Sequence, residues 1–290
     1  MFNRLSQGLF MSMELQRPGA FWSDRAGIRA GNSGVRYIER VDVMRRAFRC
    51  VLVAVVIVTL GVLGSGNRSF AADASPTVAA IAPARGQVVG VAHPVVVTFT
   101  KSIIDRAAAE RSIHVTSPSN MTGQFSWLND NVVQWKPDRF WPAHSHITLL
   151  AGGAKADFGT GAATLGVGSI SAHTFTVSID GQVARKMPAS LGKPTRPTPT
   201  GSFSVLERDR TVVMDSRTIG IPLSSPEGYR ITASYAERIT NSGVYVHSAP
   251  WSVDSQGVAN VSHGCINLSP DNAAWYYNVV NVGDPVEVQA

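Results

Sequence analysis

The 290 residues leave room for two domains of ordinary size, each large enough to bury a core. The formal net charge of +6 is confined to one end: residues 1–71 carry ten Arg against four Asp or Glu, and residues 72–290 carry sixteen Lys or Arg against sixteen Asp or Glu. A neutral body has no electrostatic footprint for nucleic acid, which excludes that partner, and two cysteines, Cys50 and Cys265, exclude a disulfide-stapled scaffold.

In chain order, residues 1–43 show no sustained periodicity and read as a disordered arm, or as sequence upstream of a true start at Met44. From Met44 the arginines at 45, 46 and 49 form a positive n-region before the apolar run Val51 to Leu63, and Ser69-Phe70-Ala71 fits a small-x-small cleavage site. The run is shorter than the ~20 residues that span a bilayer. Residues 44–71 therefore read as a signal peptide, with an uncleaved anchor over residues 50–64 as the second reading. Either way the remaining chain is expected to be exported to the periplasmic or cell-wall space, touching membrane only through this segment.

Residues 72–82, rich in Ala, Ser and Pro, read as a linker. Short alternating runs follow, at Val89 to Val91, Pro94 to Thr100, Ile113 to Val115, Gly123 to Trp127, Val132 to Trp135 and His146 to Leu150, with one helical turn at Arg106 to Arg111. Such runs, separated by turn residues, predict a mainly β chain that begins with an Ig-like β-sandwich over residues 72–165. His144 and His146 form an H-x-H pair on one predicted strand face, expected at the surface and not at a metal. The Gly- and Ala-rich stretch Ala151 to Ser169 reads as the boundary between domains.

The second domain, residues 170–290, is predicted to be β-rich with one or two short helices. Its strands run over His173 to Ile179, Val183 to Met187, Gly201 to Val205, Thr211 to Met214, Gly228 to Ala236 and Val244 to Ser248. Asp180-Gly181 signals a tight hairpin. The Pro-rich stretch Pro188 to Gly201 reads as a rigid loop, and Ser269-Pro270 as the N-cap and first residue of a helix.

Chemistry concentrates in Ser262-His263-Gly264-Cys265-Ile266-Asn267. Once the N-terminal segment is removed, Cys265 has no cysteine to pair with, and His247 stands sixteen positions before His263. A lone thiol with two nearby histidines is the composition of a cysteine nucleophile and its base. An unperturbed thiol, with its pKa of about 8.5, is mostly protonated at neutral pH, so activation needs a base or a positive neighbour. Both His247 and His263 qualify, and the expected resting state is a sulfur ionised by imidazole. Gly264 suits a sharp turn that leaves the Cys265 N–H facing an oxyanion. Zinc bound by His247, His263 and Cys265 would lack a fourth ligand of the usual kind.

His247 together with Ser262 to Asn267 resembles the signature of the L,D-transpeptidases, and the layout of leader, Ig-like domain and catalytic domain resembles the mycobacterial members. The resemblance covers roughly residues 171–290. It implies that Cys265 attacks the bond between diaminopimelate and D-Ala of a tetrapeptide stem, and that the amine of a second stem resolves the acyl-enzyme as a 3→3 cross-link. By the same resemblance His247 is the base, oriented by the main-chain carbonyl of Ser248, and His263 and Gly264 shape the oxyanion site. Tyr229 is matched to a lid tyrosine, Ser242 and Gly243 to a stem-binding strand, Asn267 to a substrate contact, and Met214 and Trp251 to the pocket wall. No metal or organic cofactor is implied, and carbapenem-type β-lactams are expected to acylate the same thiol.

Overall fold

A computed structural model describes residues 76–290; the predicted arm and leader lie outside the described residues. The first eight strands are β1 (Val78–Ala82), β2 (Val88–Val89), β3 (Val95–Phe99), β4 (Ile113–Thr116), β5 (Gly123–Trp127), β6 (Val132–Pro137), β7 (His146–Ala151) and β8 (Ala154–Thr160), with the short helix α1 (Arg106–Arg111) before β4. They form two four-stranded sheets, ordered β1-β3-β6-β5 and β2-β8-β7-β4. Alternation does the folding here. In β3, Val95, Val97 and Phe99 face inward, and they meet Trp135, Trp141, Ile147, Leu149 and Phe158 in one buried cluster.

One expectation about a linker is corrected. Within residues 72–82, Val78–Ala82 is an edge strand, bulged between Val78 and Ala80 where it pairs with β3. Its small side chains are mostly exposed, so no apolar alternation marked it. The Gly- and Ala-rich boundary stretch holds two strands, β8 and β9 (Thr164–Ser169), one in each domain. Glycine there answers close approach, not flexibility: a Cβ on Gly166 would stand 2.5 Å from Phe175 Cζ, and one on Gly168 3.2 Å from Ile266 Cδ1. His144 is also not on a strand; it precedes β7 with a φ of 51°, and its Nε2 lies 3.0 Å from Asp180 Oδ2, apart from the exposed His146.

The second domain continues with β10 (Thr174–Ile179), β11 (Gln182–Pro188), β12 (Gly201–Ser204), β13 (Glu207–Asp215), β14 (Arg230–Arg238), β15 (Tyr245–Ser248), β16 (Ile266–Leu268), the helix α2 (Pro270–Val279) and β17 (Pro285–Gln289). One sheet runs β11-β10-β9-β17-β12 and the other β13-β14-β15-β16. Asp180 and Gly181 take φ of 49° and 81°, the left-handed pair that a tight hairpin between β10 and β11 requires. The Ser269 hydroxyl caps α2 by accepting the Asn272 N–H, with Pro270 in the first turn. That helix sets Ala273 and Tyr276 into the core beside Phe175, Val246, Ile266 and Leu268. The two domains are stitched by main chain, Gly90 N–H donating to Val282 O and Ala92 N–H to Gly283 O, each at 2.8 Å.

Candidate active site

The nucleophile strand and the histidine strand are neighbours. β15 and β16 run parallel with Val246 opposite Ile266, His247 opposite Asn267 and Ser248 opposite Leu268. Val246, Ile266 and Leu268 are fully buried in the core, so by the two-residue period His247, Asn267 and Cys265 turn to the opposite face. All three line a pocket of about 420 Å³, joined by Met214, Tyr229, Trp251 and His263. Cys265 is partly exposed there.

The two histidines now separate. His247 is buried, and its Nδ1 lies 2.8 Å from Ser248 O. A carbonyl only accepts, so Nδ1 carries the hydrogen and Nε2 keeps its lone pair. His263 is held the other way, its Nε2 lying 3.4 Å from Lys193 Nζ. An ammonium only donates, so the His263 hydrogen sits on Nδ1, and the ring lies 5.1 Å from that of Tyr229. Of the two imidazoles, His247 is the one whose Nε2 lone pair is not already taken by Lys193.

Burial sets the charges. It pushes the His247 pKa down to about 4, the Ser248 bond opposing, and pushes the Cys265 thiol up to about 11, the Tyr245 backbone N–H opposing. Both shifts favour the neutral thiol and imidazole at pH 7 over the ionised resting sulfur expected from the sequence. The thiol meets Gly243 O at 3.9 Å. Burial, followed by the charge of Cys265, also raises Tyr229, so its phenol remains a donor.

The turn carrying the cysteine is braced from within and from outside. The Ser262 hydroxyl donates to Cys265 O at 2.6 Å and accepts the Gly264 N–H at 3.1 Å. Gly264, at φ 121°, supplies conformation, and its N–H is occupied, so the Cys265 N–H is the turn's donor of interest. From outside, the Pro-rich loop exchanges two main-chain hydrogen bonds between Ser190 and Asn267, and Lys193 N–H donates to Ser262 O at 3.0 Å.

One assignment changes. Ser242 and Gly243 lie in the turn before β15, not on a strand, and the Ser242 hydroxyl pairs with that of Thr240 at 2.9 Å. Asn267 lines the pocket, and its side-chain amide donates to Ser252 Oγ at 3.1 Å. Tyr229 follows the 3-10 turn Ser216–Ile219 and is pinned where its N–H donates to Ser216 Oγ at 3.0 Å. Met214 ends β13 on the pocket wall, and Trp251 stacks near His247 at 5.9 Å, half its surface exposed. Sequence reasoning missed Lys193, Glu227 and Ser252. Lys193 is ion-paired with Glu227, which lines the pocket. Their separation in the chain carried no signal.

Family comparison agrees with this geometry. Residues 165–288 match the L,D-transpeptidase catalytic domain and residues 67–153 a bacterial Ig domain. L,D-transpeptidase 1 of Mycobacterium tuberculosis is 59% identical over 249 residues, covering 84% of this chain and 99% of that protein. This chain belongs to the L,D-transpeptidase family.

Two solved L,D-transpeptidases share the fold. LD transpeptidase LdtMt1 in complex with imipenem is 65% identical with a TM-score of 0.69, covering 73% of this chain and 99% of that one. L,D-transpeptidase 3 from Mycobacterium tuberculosis, in complex with a faropenem-derived adduct, is 55% identical with a TM-score of 0.68, covering 74% and 98%. The chain is thus a mainly β L,D-transpeptidase with an Ig-like domain before its catalytic domain. In this L,D-transpeptidase the neutral thiol has a direct consequence. Iodoacetamide alkylation of Cys265 is expected to be slow at pH 7 and to climb about tenfold per pH unit towards the pKa of about 11. A plateau reached below pH 8 would mean an ionised resting sulfur.

Proposed function

We propose that this L,D-transpeptidase forms 3→3 cross-links in peptidoglycan through an acyl-enzyme on Cys265. The observation that carries the reading is the tautomer of His247, whose Nδ1–H is engaged by Ser248 O, so that its Nε2 is free to accept in the pocket that Cys265 also lines. As the sulfur attacks the carbonyl between diaminopimelate and D-Ala, the thiol proton passes to Nε2, so ionisation accompanies attack and does not precede it. The Cys265 N–H and the Tyr229 hydroxyl supply donors for the oxyanion. On collapse the C–N bond breaks, His247 returns the proton to the departing D-Ala amine, and a thioester remains. The acceptor amine of a second stem then adds to that carbonyl and gives up a proton through His247 to the leaving sulfur.

Burial of both groups favours this coupled route, because neither ion is stable alone in the cleft. The imipenem complex of LdtMt1 and the faropenem-derived adduct of L,D-transpeptidase 3 support capture of this site by such β-lactams. The mechanism draws only on side chains and main chain, and export to the cell-wall space through residues 44–71 completes the proposal. Incubating the protein with a tetrapeptide donor and a stem acceptor, then weighing the products, tests it. The expected product is a dimer lacking one D-Ala. Tripeptide monomer alone would make the enzyme a carboxypeptidase, and an unchanged protein mass after a carbapenem would remove Cys265 as nucleophile.

A further inference from the structure

Four cationic side chains, Lys193, Arg196, Arg217 and Arg230, are coupled to residues that line the pocket or adjoin one that does, and carboxylates account for three of them. Lys193 is paired with Glu227, while Arg217 and Arg230 share Asp215, Arg230 Nε lying 3.7 Å from its Oδ2. Among the described residues Arg196 has no carboxylate within salt-bridge distance, although it is only partly exposed. Its main chain is fastened to the site. Arg196 N–H donates to Lys193 O at 2.8 Å, and Arg196 O lies 3.9 Å from where a Cβ on Gly264 would stand. Its charge is felt by Tyr229, His263 and Glu227, all of which line the pocket.

An unpaired, partly buried guanidinium on an anchored stretch of main chain is suited to take a carboxylate through two parallel hydrogen bonds. Lys193 is not available for that task, because Glu227 already neutralises it and its ammonium also reaches His263. Residues 170–290 carry nine Lys or Arg against ten Asp or Glu, so these cations form a local cluster in a domain that is not basic overall. A stem peptide offers carboxylates at the terminal D-Ala, at the glutamyl residue and at diaminopimelate. We propose that Arg196 is a specificity-determining residue that binds one free carboxylate of the stem substrate. The inference rests on the transpeptidase reading above.

The test uses the full chain and four synthetic tetrapeptide donors, one with every carboxylate free and three with a single carboxylate converted to carboxamide. The wild-type protein is expected to discriminate against one of the amides by roughly 10- to 100-fold in kcat/KM, the range of a charged hydrogen-bonded pair. Arg196→Gln should erase that preference by losing rate on the free acid while staying within about twofold on the matching amide. Arg196→Lys should restore part of it. The amide that is discriminated against identifies the carboxylate. An acid-to-amide ratio unchanged by Arg196→Gln, or an equal loss on all four donors, overturns the proposal. Absence of transfer by the wild-type protein on every donor would instead overturn the transpeptidase reading itself.

Discussion

His247→Ala is expected to slow acylation of Cys265 by a carbapenem by roughly 10²–10⁴-fold, the usual yield of a positioned proton acceptor. The reasoning is about which atom is free. His247 presents Nε2 because Ser248 O holds Nδ1–H at 2.8 Å, whereas His263 spends Nε2 on Lys193. His263→Ala should therefore cost markedly less, through the shape of the oxyanion side. The reverse ranking would transfer the base to His263. Loss of β-lactam absorbance under single-turnover conditions measures both, with circular dichroism checking that each variant folds.

The same buried imidazole has a signature in stability. Its folded pKa of about 4 lies below the ordinary 6.5, so the unfolded chain takes up a proton first as the pH falls. Its contribution to stability is complete above pH 6.5 and is lost as the pH drops towards 4. Thermal melts of the wild-type protein should lose stability through that window, and His247→Ala should lose less.

Gly192→Ala is expected to destabilise the protein by about 1–3 kcal/mol and to disable the site together with the fold. A Cβ at this position would stand 2.2 Å from Arg196 O, 2.4 Å from Thr198 N and 2.7 Å from the Pro197 carbonyl carbon. These are backbone atoms of a Pro-rich loop, so no side-chain rotation relieves the contact. The loop must open, and opening it releases the Lys193 N–H bond to Ser262 O and the bridge between Gly192 and Ser262. Those bonds brace the turn that carries Cys265, so acylation should fall with the melting temperature, by roughly 2–4 °C per kcal/mol in a chain of this size. Gly159→Ala serves as the control. There the nearest atoms, Ser145 O and Val88 Cγ2, are both 3.7 Å away, ordinary contact, and little change is expected. Equal effects from the two substitutions would remove the steric argument.

Much of the site was legible because it is contiguous. Ser262 to Asn267 occupies one turn and the start of one strand, and the alternation in Val244 to Ser248 placed His247 on a strand before any coordinates. The hairpin at Asp180-Gly181 and the cap at Ser269 were legible for a similar reason, since each is a local backbone requirement met by a particular residue. The strands β1, β8 and β9 were not. Their small residues make no apolar pattern, and the glycines of β9 serve partners far along the chain, Phe175 and Ile266.

From its sequence alone, this chain could be assigned two β-rich domains, a thiol with two imidazoles to serve it, and a neutral body behind a basic leader. Tertiary structure decided which imidazole keeps a lone pair, that burial favours the protonated thiol, and that Arg196 has no counter-ion among the described residues. Those outcomes depend on which carbonyl, ammonium or carboxylate arrives beside each group, and on how much water it loses there. Neither quantity is a property of neighbours in sequence.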